Sequence, residues 1–137
     1  MILVEHLTRR FGPKVAVDDL NLNIPAGTFF CFLGPNGAGK TTTIRILTGL
    51  LRPSAGRAIL GGHDIQKEPI LARRLIGYVP DHPFLYDKLT GREFMRFVAG
   101  LYRMDEKDFH DRCLPLMELF EIAAVADQLI EDYSHGM

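Results

Sequence analysis

The chain has 137 residues, 47% hydrophobic and 24% charged, with a formal net charge of −1. That apolar content and small net charge exclude intrinsic disorder, and no apolar run approaches the roughly 20 residues of a membrane span. Met1-Ile2-Leu3-Val4-Glu5 has neither a basic start nor a long apolar stretch, so no signal peptide is expected. The two cysteines, Cys31 and Cys113, form neither a disulfide framework nor a metal pattern, and both are expected to be buried reduced thiols of a cytosolic chain. Charge is unevenly spread: residues 1–100 carry 13 Lys/Arg against 8 Asp/Glu, and residues 101–137 carry 3 against 9. The acidic end reads as a solvated helical surface. No basic run exceeds two residues and no basic stripe is interleaved with aromatics, so no nucleic-acid partner is expected.

In chain order, Ile2-Leu3-Val4 opens a strand, and Leu20-Asn21-Leu22-Asn23-Ile24 alternates as a strand buried on one face does. Pro25-Ala26-Gly27 is turn chemistry. Phe29-Phe30-Cys31-Phe32-Leu33 is a continuous apolar run, which predicts a strand buried on both faces. A helix is expected over Thr41 to Leu51, from the spacing of Ile44, Leu47 and Leu51, ended by Arg52-Pro53-Ser54-Ala55-Gly56. Ala58-Ile59-Leu60 reads as a strand entering a Gly61-Gly62 turn, and Leu75 to Val79 as a short buried strand stopped by Pro80. The remainder is helical. Thr90-Gly91-Arg92-Glu93 has capping-box spacing, with Phe94, Phe97, Val98 and Leu101 following on one face. A second helix starts near Asp105, with Phe109, Cys113, Leu116 and Phe120 as its buried stripe. Pro115 cannot donate to the Asp111 carbonyl, so a kink or break is expected there.

The strongest chemical signal is Gly34-Pro35-Asn36-Gly37-Ala38-Gly39-Lys40-Thr41-Thr42, which satisfies GxxxxGK[ST] between an expected strand and an expected helix. Glycines at these positions let the backbone curl until successive N–H groups face phosphate oxygens. The helix beginning near Lys40 adds about half a positive charge at its N-terminus. Lys40 is expected to reach the β- and γ-phosphates, the Thr41 hydroxyl to ligate Mg²⁺, and Thr42 to donate to the α-phosphate. The motif alone specifies nucleoside triphosphate binding, because kinases, GTPases and motors also use it. Val15 and Val17 could line a base or belong to the core. His63 and His82 are read as surface loop residues.

The wider pattern resembles the ATP-binding-cassette (ABC) ATPases, the nucleotide-binding subunits of ABC transporters. The resemblance rests on Pro35 to Gly39 within the loop, on Phe11 placed 29 residues before Lys40, and on Leu47-Thr48-Gly49-Leu50 with Pro53-Ser54-Ala55-Gly56. It rests also on Ile76-Gly77-Tyr78-Val79-Pro80, and it covers essentially the whole chain. It implies an α/β P-loop NTPase fold with an antiparallel β subdomain and an α-helical subdomain. Residues 1–83 would form part of the nucleotide-binding core and residues 84–137 the helical subdomain. It implies that Phe11 stacks on adenine and that ATP and Mg²⁺ are the cofactors.

Two positions depart from the family pattern. Asp81 stands where the family has its Q-loop Gln, and it is expected to take either a Mg²⁺, water or coupling role, as the resemblance implies, or a loop-capping role. Tyr133-Ser134-His135-Gly136-Met137 aligns with the Leu-Ser-Gly-Gly-Gln signature, agreeing only at Ser134 and Gly136. In the family these residues meet the γ-phosphate held by a second subunit. The resemblance further implies a chain that ends inside the signature, incomplete at its C-terminus, without the Walker B Asp, the catalytic Glu or the switch His, and so with no catalytic residue of its own. The expected partners are a membrane permease, contacted through Leu85-Tyr86 and Phe94 to Leu101, of which Phe97 and Leu101 are expected to be core, and a second ATP-binding subunit. The expected place is the cytoplasmic face of the cell membrane, and the expected function is to couple ATP binding and hydrolysis to transport, in the export direction. The rival expectations are a truncated, non-catalytic nucleotide-binding fragment and a soluble ABC protein without a transport role.

Overall fold

The computed structural model describes residues 1–137 except His82, His135 and Met137. The readings of His82 as a loop residue and of His135 and Met137 as signature positions therefore lie outside the described residues. The chain forms two compact units, Met1–Val79 and Pro80–Met137.

The first unit is built on an antiparallel sheet of order β2-β1-β3-β4, with β1 Ile2–Phe11, β2 Lys14–Ile24, β3 Ala55–Leu60 and β4 His63–Asp64. β1 and β2 form a hairpin that pairs Ile2 with Ile24 and Phe11 with Lys14, with register shifts around His6 and Asp19, both at positive φ. The shifts place Val4 and Leu7, three residues apart, on the same buried side, where a regular strand would point them to opposite faces. They join Ile46, Ala58, Leu60, Ile65 and Ala72 in one core. Ile46 lies on α1 (Lys40–Leu47) and is fully buried, which stabilises this helix on the sheet by about 1.5–3 kcal/mol. A one-turn helix, α2 (Pro69–Arg73), closes the core with Ala72.

Several expectations change in this unit. The helix after the glycine-rich loop ends at Leu47 rather than Leu51, because the N–H groups of Leu50 and Leu51 turn back to the Arg45 carbonyl. Phe29 to Leu33 forms no strand: among the described residues no neighbour pairs with it, and Phe29 and Leu33 are exposed. A continuous apolar run makes a buried strand only where partners flank it on both edges. Cys31, expected buried, is exposed with that segment. Leu75 to Val79 likewise forms no strand. The Leu75 and Ile76 N–H groups instead finish the α2 turn on the Ala72 and Arg73 carbonyls, and Val79 is exposed. His63 lies half-buried on β4, its Nδ1 3.3 Å from the Glu68 carboxylate.

The second unit contains α3 (Gly91–Leu101) and α4 (Glu106–Leu119), followed by two short 3₁₀ turns, Ala123–Val125 and Ile130–Asp132. Thr90 caps α3 with the reciprocal box its spacing predicts. The Glu93 N–H donates to the Thr90 hydroxyl at 3.2 Å, and the Thr90 N–H donates to the Glu93 carboxylate at 2.8 Å. The Thr90 N–H first, and then the Thr90 hydroxyl, which donates to the same carboxylate oxygen at 3.0 Å, hold the Glu93 carboxyl below the usual carboxylate range. Its contribution is complete above the unfolded value and is lost as pH falls through the lower folded one. Thr90→Ala is expected to cost about 1 kcal/mol at neutral pH through the lost cap, and to flatten the acid-side fall in stability only in part, because alanine keeps the backbone N–H that donates to Glu93. Urea denaturation of wild type and variant at pH 7 and pH 4 measures both effects.

Here too the apolar pattern is corrected. The buried stripe of α4 is Phe109, Cys113 and Met117, a strict four-residue spacing, and Leu116 and Phe120 are exposed. The helix continues through Pro115 to Leu119 without a break. Pro115 is on the exposed side, where solvent can serve the carbonyl it leaves without a partner. On α3 only Ala99 is fully buried, while Phe97 and Leu101 are exposed. Tyr86 packs edge-on against Phe97, with ring centroids 5.4 Å apart.

Candidate nucleotide-binding site

The loop between the hairpin and α1 takes its shape from its glycines and from β2. Gly37 and Gly39 both have φ 84°, in the left-handed region. Gly39 is the N-cap of α1, so no side chain caps this helix. A Cβ on Gly39 would overlap the Ala16 carbonyl oxygen and come within 3.2 Å of the Val17 side chain. The loop thus enters the helix pressed against the backbone of β2, at a distance only glycine permits.

Lys40 folds back over this loop. Its Nζ donates to the carbonyl oxygens of Gly34 at 2.5 Å and Pro35 at 2.7 Å. The following side chains divide by role. Thr43 is buried and its hydroxyl donates to the Gly39 carbonyl, which braces the loop from behind. Thr41 is exposed and Thr42 half-buried, at the open end of the helix. Pro35, Asn36 and Ala38 are exposed, and the turn is closed by the Ala38 N–H donating to the Pro35 carbonyl at 3.2 Å. An ammonium, two hydroxyls and a helix N-terminus form a donor set suited to a polyphosphate, and these residues fit one.

Phe11 stands at the tip of the hairpin, 46% exposed. Lys14, its strand partner, lies three residues from Val17, the residue touching Gly39. That is about 10 Å along an extended strand. The separation is comparable to the reach of a nucleoside triphosphate from its base to its phosphates. Val17 is buried and belongs to the core, while Val15 remains partly exposed on the hairpin. One contact was not foreseen: the Arg9 guanidinium lies over the Phe11 ring, 4.5 Å from its centroid. The signal available in the sequence was the two-residue spacing of Arg9 and Phe11, which places both on one side of a strand.

The remaining expected residues belong to the second unit. Asp81 is exposed in a bend. Ser134 and Gly136 are exposed and follow Tyr133, which anchors this end of the chain. The Tyr133 hydroxyl donates to the Val125 carbonyl at 2.7 Å, and the Ile130 N–H donates to the Leu89 carbonyl. Arg92 adds a two-pronged pair with Asp127, at 2.7 and 3.1 Å. The Asp127 carboxyl is held below its usual range by those Arg92 hydrogen bonds.

Known proteins share this arrangement. The chain is 38% identical over 136 residues to the daunorubicin resistance ATP-binding protein DrrA3 of Streptomyces coeruleorubidus, a match covering 99% of the chain and 43% of that protein. It is 41% identical over 131 residues to the daunorubicin/doxorubicin resistance ATP-binding protein DrrA of Streptomyces peucetius, covering 96% and 40%. The chain thus spans about two-fifths of the length of these relatives. A solved ATP-binding subunit of an ABC transporter superposes with a TM-score of 0.87 at 29% identity, over 100% of this chain and 57% of that one. That neighbour places the antiparallel sheet and the glycine-rich loop described above within the P-loop NTPase fold of ABC ATPases. The ABC transporter family model matches residues 17–137, from the β2 strand that seats the loop to the last residue, and the chain belongs to that family.

Proposed function

We propose that the loop 34–42, together with Phe11, holds Mg-ATP, and that the protein couples ATP binding and hydrolysis to transport through a membrane permease. The observation that supports this reading is the seat of Gly39 on β2, which fixes the loop at the start of α1, where Lys40 folds back onto it. In it, Lys40 neutralises the outer phosphates, the N–H groups at the start of α1 meet phosphate oxygens, and Thr42 takes the α-phosphate. Phe11 carries the adenine ring. Magnesium, when bound, supplies positive charge at the phosphates, and the Thr41 hydroxyl and the Asp81 carboxylate are the groups proposed to hold it.

Ser134 and Gly136 are proposed to meet the γ-phosphate of a second ATP-binding subunit. The exposed Leu85, Tyr86 and Phe97 are proposed to meet the permease. No helix among the described residues is long and apolar enough to cross a membrane, which fits attachment to the cytoplasmic face through that partner. Export is supported by the names of the two Streptomyces relatives, both resistance proteins.

The test is equilibrium titration of the chain with Mg-ATP and, separately, with inorganic tripolyphosphate. Both are expected to bind. Phe11→Ala is expected to weaken ATP about tenfold, in the range of one lost aromatic–base stack, and to leave tripolyphosphate unchanged. A chain that binds neither ligand overturns the phosphate assignment. Equal losses for both ligands overturn the role of Phe11.

A further inference from the structure

We propose that Arg9 is a positioning residue for the base, acting through Phe11 as the fixed back of a cation–aromatic–purine stack. This rests on the reading of Phe11 as the base platform. The guanidinium covers one face of the Phe11 ring at 4.5 Å, and 46% of the Phe11 surface remains open. Only the uncovered face can take a base.

Three features make Arg9 a built support rather than a surface side chain in passing contact. Its NH1 donates to the Arg52 carbonyl at 2.9 Å, a bond across 43 residues that ties the hairpin tip to the turn after α1. That turn is itself locked to β1, because the Ser54 N–H donates to the Thr8 carbonyl at 2.8 Å and the Arg10 N–H to the Ser54 hydroxyl at 3.1 Å. Arg9 Nε is buried, without a hydrogen-bond partner among the described residues. No carboxylate pairs with Arg9 among them, so no ion pair offsets its charge there and the field acts on the ring it covers.

A cation held against one face of an aromatic ring draws electron density towards itself. The opposite face becomes less electron-rich and stacks better on an electron-rich purine. The same contact holds the Phe11 ring still at a hairpin tip that would otherwise be free, and so lowers the ordering cost of binding. The ligand class is a purine nucleoside triphosphate, with its phosphates on the loop and its base on the open face of Phe11.

The experiment compares ATP and tripolyphosphate binding in Arg9→Ala, Arg9→Gln, Arg9→Lys, Phe11→Ala and the Arg9→Gln/Phe11→Ala double variant of the full chain. Arg9→Gln keeps a polar stem and removes the charge. It is expected to weaken ATP about three- to fivefold and leave tripolyphosphate unchanged. Arg9→Lys is expected to recover most of the loss, and Arg9→Gln is expected to have no further effect once Phe11 is alanine. Tripolyphosphate binding also reports that each variant is folded. Should Arg9→Ala fail to fold, the Gln and Lys variants carry the test.

Four results would overturn the proposal: no change in ATP affinity, equal loss for both ligands, an undiminished effect in the Phe11→Ala background, or no rescue by lysine. If Phe11→Ala itself leaves ATP unaffected, the base platform fails and Arg9 with it. If Phe11→Ala weakens ATP and Arg9→Gln does not, only the role of Arg9 fails.

Discussion

Lys40→Ala is expected to reduce the affinity of the chain for Mg-ATP at least about a hundredfold. In the structure the ammonium lies within 2.7 Å of two loop carbonyls, so it is already at the mouth of the loop and needs no large movement to reach a phosphate. Hydrogen bonds to charged groups are worth about 1.5–3 kcal/mol each, and removing two of them is worth about 3 kcal/mol or more. That corresponds to more than two decades in affinity. Tripolyphosphate is expected to lose as much as ATP, because Lys40 acts on phosphates and not on the base. The fold should lose about 1 kcal/mol or less, because the two Lys40 bonds to the Gly34 and Pro35 carbonyls are open to solvent and the side chain supports no core contact. Titration calorimetry and a urea midpoint on the same variant measure the two quantities. An Mg-ATP affinity unchanged by Lys40→Ala would remove the phosphate assignment of the whole loop.

Gly39→Ala is expected to affect both stability and binding, for a geometric rather than an electrostatic reason. At φ 84° an alanine costs about 1–2 kcal/mol relative to glycine. Its methyl group would also overlap the Ala16 carbonyl and crowd Val17, and β2 would have to move away from the loop. We expect a destabilisation of about 2–4 kcal/mol and loss of measurable phosphate binding, although no charge has been removed. Gly37→Ala is the matched control. It has the same φ but nothing within 4 Å of its added Cβ, so only the conformational cost, about 1–2 kcal/mol, is expected. Denaturant midpoints for the two variants separate strain from contact. Equal destabilisation would mean that the approach to β2 is not what fixes the loop.

The two substitutions also show which parts of the site could be read from the residues alone. The order of residues from Gly34 to Thr42 carries its own geometry: glycines where the chain must curl, then a lysine and two hydroxyls at the start of a helix. Any fold that lets this segment turn into α1 produces a curled loop with a lysine and hydroxyls at a helix start. Thr90 and Glu93 carry theirs in the same way, because a capping box is closed by atoms three residues apart. Alternation in β2 was legible from Leu20 to Ile24, because a sheet with one face towards the core imposes a period of two.

What the residues could not state by themselves was which apolar segments find partners. Phe29 to Leu33 and Leu75 to Val79 have the composition of buried strands, yet no strand pairs with them among the described residues, and all but the half-buried Phe32 and Ile76 stand exposed. Backbone pairing requires a neighbouring edge, and no local pattern records whether that edge is present. The stripe of α4 was misassigned for a related reason. Leu116 and Met117 are adjacent and both apolar, and only the packing of the helix decides that Met117 turns inward. Pro115 was expected to interrupt a helix it does not interrupt, because its position on the solvent side leaves the freed carbonyl open to water.

The sequence by itself determined the glycine-rich loop at the start of α1, the cap of α3 and the family, since each is encoded in short spacings with a fixed physical consequence. The tertiary structure alone decided where the loop is seated, that Arg9 backs Phe11, and which apolar residues are covered. Those depend on contacts between segments distant in the chain: Gly39 on Ala16, Arg9 on Arg52, Ile46 on Val4 and Leu7. Local propensity fixes the elements, but a contact across many residues exists only after the strands have chosen their register.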